Sequence, residues 1–201
     1  IYQPGLLEAP DLWLWDYMPS GVTRTRGFTL SGVETASSEP ARLVVHLQGG
    51  SESGLAVGHH LRLSVNGVGG GETSFAGKRP HRVDLPVPAS LLREGANELA
   101  LTNVGDTGVS SSVFLDRFEV SYPQVSTVRQ GVFEGVWGEG GTVEVGGLTG
   151  APAVVDVSGA AKWVRGFEVS GSSVRFQAEA GHRYLVVSPE GVLSPRIARV
   201  V

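Results

Sequence analysis

Leu61-Arg62-Leu63-Ser64-Val65 alternates apolar and polar residues without a break and then meets Asn66-Gly67. That pattern, varied along the chain, decides the fold class. A period of two puts every second side chain on the same face of an extended strand. Leu61, Leu63 and Val65 are therefore predicted to line a buried face. Asn-Gly suits a two-residue hairpin, because both central positions need positive φ, and the return strand is predicted at residues 72–75. Further strands are predicted at residues 42–47, 82–87, 98–102 and 113–120. No segment sustains a 3.6-residue apolar period, which argues against a parallel α/β fold. Only residues 89–94, closed by Gly95, and part of residues 10–18 read as helical turns.

Tyr122-Pro123-Gln124 marks a boundary, because Pro123 removes a ladder donor and a mostly polar stretch follows. Beyond it, strands are predicted at residues 131–136, 142–145, 153–157, 163–169, 173–178, 183–187 and 196–201. The 29 glycines and 11 prolines are spread through the chain, as punctuation between short strands requires. The expectation is an all-β chain of two β-sandwich units. Residues 1–124 form the first and residues 125–201 a smaller, immunoglobulin-like or related sandwich.

Composition narrows the function. The net charge is −4 with acids and bases interspersed, whereas a phosphate backbone is bound through clustered Lys and Arg; no nucleic-acid partner is expected. No apolar run approaches the roughly 20 residues that span a bilayer as a helix. Cysteine is absent, so disulfides, thiolate metal sites and a cysteine nucleophile are ruled out. The first residue is Ile1, which implies a processed or excised chain with any signal peptide upstream.

The near-motifs fail on inspection. Gly71 to Lys78 has one residue too many for a phosphate-binding loop, and Arg79 stands where Ser or Thr would bind magnesium. Gly67-Val68-Gly69-Gly70-Gly71-Glu72 has Glu in place of the third glycine of a dinucleotide fingerprint. Among His46, His59, His60, His81 and His182, no pair has metal-ligand spacing. His59 and His60 point to opposite faces if they lie on one strand. These histidines are expected to be structural, and no catalytic residue is expected in the chain. A calcium ion could take oxygens from Asn103, Asp106 and Asp116, against the commoner reading of these as turn residues. No other cofactor is expected.

The aromatic segment Leu12-Trp13-Leu14-Trp15-Asp16-Tyr17 has two readings. Displayed, Trp13, Trp15 and Tyr17 would form a platform for a glycan or a protein ligand. Buried, they would be core. Because Leu12 and Leu14 alternate with them, the segment is apolar on both sides, and burial is the expected outcome.

Two stretches carry a resemblance. Residues 59–67 are followed by Pro86-Val87-Pro88-Ala89-Ser90-Leu91-Leu92-Arg93-Glu94-Gly95-Ala96-Asn97-Glu98-Leu99. There Gly95 can adopt the left-handed conformation and Asn97 can tie the turn to backbone groups. This part resembles galactose-binding-like jelly rolls. Taken with Trp13-Leu14-Trp15-Asp16, Leu115-Asp116-Arg117-Phe118-Glu119-Val120-Ser121-Tyr122-Pro123 and residues 174–187, the chain resembles the accessory region beside gingipain-like bacterial cysteine peptidase domains. The resemblance implies a secreted or cell-surface location, and a neighbouring catalytic α/β domain of the same polypeptide as partner. It carries over no catalytic residue. The alternative is a carbohydrate-binding module of an exported enzyme or adhesin.

Overall fold

A computed structural model describes residues 13–193. The chain is all-β and divides into two compact units between Pro123 and Gln124. The first unit holds β1 (Asp16–Pro19), β2 (Thr23–Leu30), β3 (Ala41–Gly49), β4 (His59–Val65), β5 (Val68–Phe75), β6 (Pro80–Val87), β7 (Gly95–Asn103) and β8 (Ser112–Ser121). They form two four-stranded antiparallel sheets, ordered β1-β8-β3-β6 and β2-β7-β4-β5. The core between them is mainly aliphatic. Leu43, Val45 and Leu47 of β3 meet Leu61, Leu63 and Val65 of β4, with Leu99 and Leu101 of β7 and Val113 and Leu115 of β8.

The hairpin forms as the sequence requires. Asn66 and Gly67 have φ of 51° and 81°, which costs little only for Gly and Asn. The return strand is longer than expected. β5 starts at Val68 and runs through Gly69-Gly70-Gly71, with a register shift between Leu63 and Ser64 of its partner. A shift of this kind is what a glycine-rich strand absorbs.

The expected helical turn at residues 89–94 shrinks to a single 3₁₀ turn at Ala89–Leu91. Leu92 is already extended, and the chain then enters β7 through Gly95 at φ +83°. Asn97 secures this entry. Its Oδ1 accepts from Arg93 N at 2.9 Å and from Asn66 Nδ2 at 2.9 Å, and its Nδ2 donates to Arg93 O and Gly95 O at 2.8 and 3.0 Å. Asn66 donates as well to Leu91 O and accepts from Glu98 N, joining the β4–β5 turn to β7.

The second unit holds β9 (Val132–Val136), β10 (Gly141–Val145), β11 (Ala153–Asp156), β12 (Lys162–Trp163), β13 (Glu168–Ser170), β14 (Ser173–Ala178) and β15 (Arg183–Val187). They pair antiparallel as β10-β14-β13 and β12-β11-β15-β9. Val145, Val174, Phe176 and Ala178 meet Phe133, Val154, Tyr184 and Val186 in its core. The single strand expected at residues 163–169 is two short ones, β12 and β13, separated around Gly166 at φ +74°. The strand expected at residues 196–201 lies outside the described residues.

Candidate ligand-binding surface

The aromatic segment reverses the expectation of burial. Trp13 is 68% and Trp15 52% exposed, whereas Leu14 and Met18 are buried at 3% and 0%. Alternation is what separates them. Once Met18 enters the core, the residues two apart from it point inward; Trp13 and Trp15 are left outside, and Tyr17 is half-buried. Leu12, the other residue on which burial was argued, lies outside the described residues. Of the helical turn expected within residues 10–18, residues 10–12 lie outside the described residues, and residues 13–15 are a non-helical approach to β1, with Trp15 N donating to Leu115 O at 2.8 Å.

The three aromatics are not one flat plate. Trp15 meets Phe118 edge-on at 5.8 Å between centroids, and Tyr17 lies tilted on Phe114 at 5.1 Å. The Tyr17 hydroxyl shares a 3.0 Å hydrogen bond with Ser112 Oγ. Beside Trp15, Asp16 of β1 is paired with Arg24 Nε at 3.3 Å and Arg26 Nη2 at 2.7 Å, both on β2. Arg26 Nη2 also donates to Trp15 O. The edge therefore presents exposed indole surface next to planar polar groups. Stacking surface plus planar donors and acceptors is the chemistry of sugar-ring or aromatic recognition.

A second cluster joins three distant segments. His59 Nδ1 lies 2.8 Å from Ser111 Oγ, and its Nε2 lies 3.3 Å from Gly77 O. Ser111 Oγ donates to Asn103 Oδ1 at 3.1 Å, and Asn103 Nδ2 donates to Met18 O and Ser111 O. A serine and a histidine at this distance have nucleophile–base geometry. Two features set this pair apart from a catalytic one. Both residues are 1% exposed, and the imidazole's far side faces a backbone carbonyl where a triad has a carboxylate. Burial holds the His59 pKa below the ordinary 6.5. His59 also packs against Phe75, which is stacked on His81 at 4.2 Å. Burial lowers the His81 pKa too. Gly49 makes the cluster possible, since a Cβ there would come within 2.0 Å of Gly77 O.

The three candidate calcium oxygens are engaged separately. Asn103 sits in the buried network just described, Asp106 accepts from His60, and Asp116 accepts from Arg117 Nη1 at 2.7 Å. Among the described residues, no three His, Asp or Glu side chains converge in the manner of a metal site. Sequence reading missed the Ser111–His59–Asn103 network entirely; each residue type was visible, but nothing in one segment signals its partners in the others. His46 faces Glu119, and His182 faces Asp156 at 2.9 Å.

No family model matches the chain, and no curated protein does. Among solved structures, it is similar to dimeric latent PorU from Porphyromonas gingivalis, with a TM-score of 0.65 and 17% identity. The match covers 98% of this chain and 22% of that chain, so the chain spans less than a quarter of its neighbour's length. At this identity the likeness establishes the fold.

Proposed function

We propose that this chain is a non-catalytic accessory region of an exported, gingipain-like bacterial cysteine peptidase, acting at the cell surface or outside it. Its first unit is read as a galactose-binding-like jelly roll. Its partner is a catalytic domain of the same polypeptide. The observation that carries this reading is that both units together, 98% of the chain, recur as a 22% portion of a much longer protein. The resemblance of residues 59–123 and 174–187 to such accessory regions supports it independently. The burial of His59 and Ser111 fits a structural role for the one Ser–His pair described above. The reading involves no cofactor and no calcium.

The test is an assay of the purified chain on peptide, ester and glycosidic substrates. No turnover is expected. Hydrolysis that survives repurification and disappears in Ser111→Ala or His59→Gln would overturn the proposal. In a complementary test, a catalytic α/β domain encoded beside this region should co-purify with it.

A second reading has a specific observation in its favour. Trp13 and Trp15 keep most of their surface exposed beside Asp16, Arg24 and Arg26, as the carbohydrate-binding alternative requires. Binding on a glycan array, lost in a normally stable Trp15→Ala variant, would establish it.

A further inference from the structure

His60 stands between two carboxylates. Its Nδ1 lies 2.8 and 3.0 Å from the oxygens of Asp106, and its Nε2 lies 3.3 Å from Glu72 Oε2. The three residues come from separate pieces of chain: His60 from β4, Glu72 from β5, and Asp106 from the connection between β7 and β8. A neutral imidazole has one N–H and one lone pair, so it can satisfy one of these carboxylates while its lone pair faces the other. An imidazolium has two N–H groups and satisfies both. The geometry fits the cation. Arg62 is the remaining charged group of the cluster; its Nε donates to Glu72 Oε1 at 2.7 Å, and its charge also acts on Asp106.

We propose that His60 is an acid-set latch on the connection that runs from Val104 to Ser111. Protonated, it ties Asp106 and Glu72 to β4. Neutral, it gives Asp106 a weaker bond and turns a lone pair toward Glu72, which Arg62 keeps in place. The hydrogen bond to Asp106, with Glu72 adding to it, raises the His60 pKa above 6.5. The same contacts lower the pKa of Asp106. The rest of the connection is held by other means. Thr107 Oγ1 donates to Gly58 O, and Ser111 is anchored in the His59 network. Deprotonation therefore loosens the half nearest Val104, whose N–H donates to His60 O at 2.9 Å. This inference is independent of the proposed function.

The test follows two quantities from about pH 5.5 to about pH 8.5, the span in which histidines titrate. One is the His60 ring titration by NMR. The other is exchange protection of the Val104 amide, corrected for intrinsic rates and referenced to Phe176 in the second unit. A charge-assisted bond is roughly twice as strong as a neutral one, so protection should fall about 5-fold as the ring deprotonates. The midpoint should lie above 6.5. His60→Gln should show no such pH dependence. Asp106→Asn should bring the His60 midpoint down toward 6.5 and flatten the exchange profile. Because Asp106 is 55% exposed, this second variant keeps the test decisive even if His60→Gln does not fold. A wild-type midpoint at or below 6.5 would overturn the latch, as would protection that ignores the titration or an unchanged profile in Asp106→Asn.

Discussion

The two units answer the same architectural problem with different materials. Among the described residues, the first has seventeen buried core residues, of which one, Phe75, is aromatic, with Phe28, Phe118 and Tyr122 partly buried against them. The second has ten, of which Phe133, Phe176 and Tyr184 are aromatic, with Trp137 packed against them. Surface-to-volume scaling explains the contrast. A small sandwich buries a smaller fraction of its surface, so it needs side chains that each remove more apolar area from water. The first unit is large enough to rely on Leu and Val, and it can also accommodate buried polar groups. His59, Asn97, Asn103 and Ser111 are all at most 5% exposed there, and each has its hydrogen bonds.

The sharpest way to break this comparison is to remove one aromatic from the smaller unit. Phe176 is 3% exposed and contacts the rings of Trp137 and Tyr184 at 5.7 and 5.2 Å. Phe176→Ala should cost about 3–5 kcal/mol. Domains of roughly 70–80 residues seldom draw more than that from one core. The second unit should therefore unfold at ordinary temperature, with amide signals of β14 and β15 collapsing to random-coil positions while those of β4 and β7 stay dispersed. Loss of both sets at once would show that the cores are not separate.

The next effect is smaller and falls in the first unit. Asn97→Ala would take the side-chain acceptor from Arg93 N and one of the two acceptors from Asn66 Nδ2, at a residue only 5% exposed. About 1–3 kcal/mol is expected, read as a lower denaturant midpoint with an unchanged slope. This role was legible in the sequence, where Gly95-x-Asn97 after a short turn already prescribes a tied corner. Strict alternation was equally legible, and β14 and β15 have the predicted bounds. What escaped was whatever depends on partners far along the chain. β2 was not foreseen because Arg24 and Arg26 interrupt its apolar side; their pairing with Asp16 across the sheet edge is what makes them tolerable there. The Ser111–His59–Asn103 network spans segments that only tertiary folding brings together.

Acid should separate the units by pH. In the first, His59 and His81 have folded pKa values below 6.5. The stability they contribute is complete above 6.5 and is lost as pH falls through the lowered values. His60 has the opposite sign: its contribution is complete below 6.5 and is lost as pH rises through its raised value. The first unit should therefore be most stable in a window around 6.5. In the second unit, the lowered groups are carboxylates. Asp156, hydrogen-bonded by Ser158 and then His182, is held at about 2, and Glu144 is lowered by Arg175. Their contributions persist until pH falls below the ordinary 4.5 of Glu and 3.8 of Asp. Thermal midpoints followed by unit-specific amide signals should show the first unit weakening between about pH 6 and about pH 4.5 while the second holds. Coincident loss in both units would contradict the assignment of the buried histidines.

The smallest effect is expected at the aromatic edge, and its smallness is what makes it informative. Trp13 is 68% exposed, so Trp13→Ala should change stability by no more than about 0.5 kcal/mol, as surface substitutions do. Trp15→Ala forfeits an edge-on contact with Phe118, and such ring pairs contribute about 0.5–1.5 kcal/mol. Neither approaches the cost of removing a core ring such as Phe176. If the two indoles do stabilise so little, their exposed apolar surface is better explained by recognition than by packing. The variants therefore separate the two roles of this edge. If glycan or peptide binding falls while the thermal midpoint stays within a few degrees, the edge is a binding surface and the carbohydrate-binding reading gains ground. If Trp15→Ala costs as much as Phe176→Ala, the indole is part of the core after all, and the contrast between an aliphatic first unit and an aromatic second one fails.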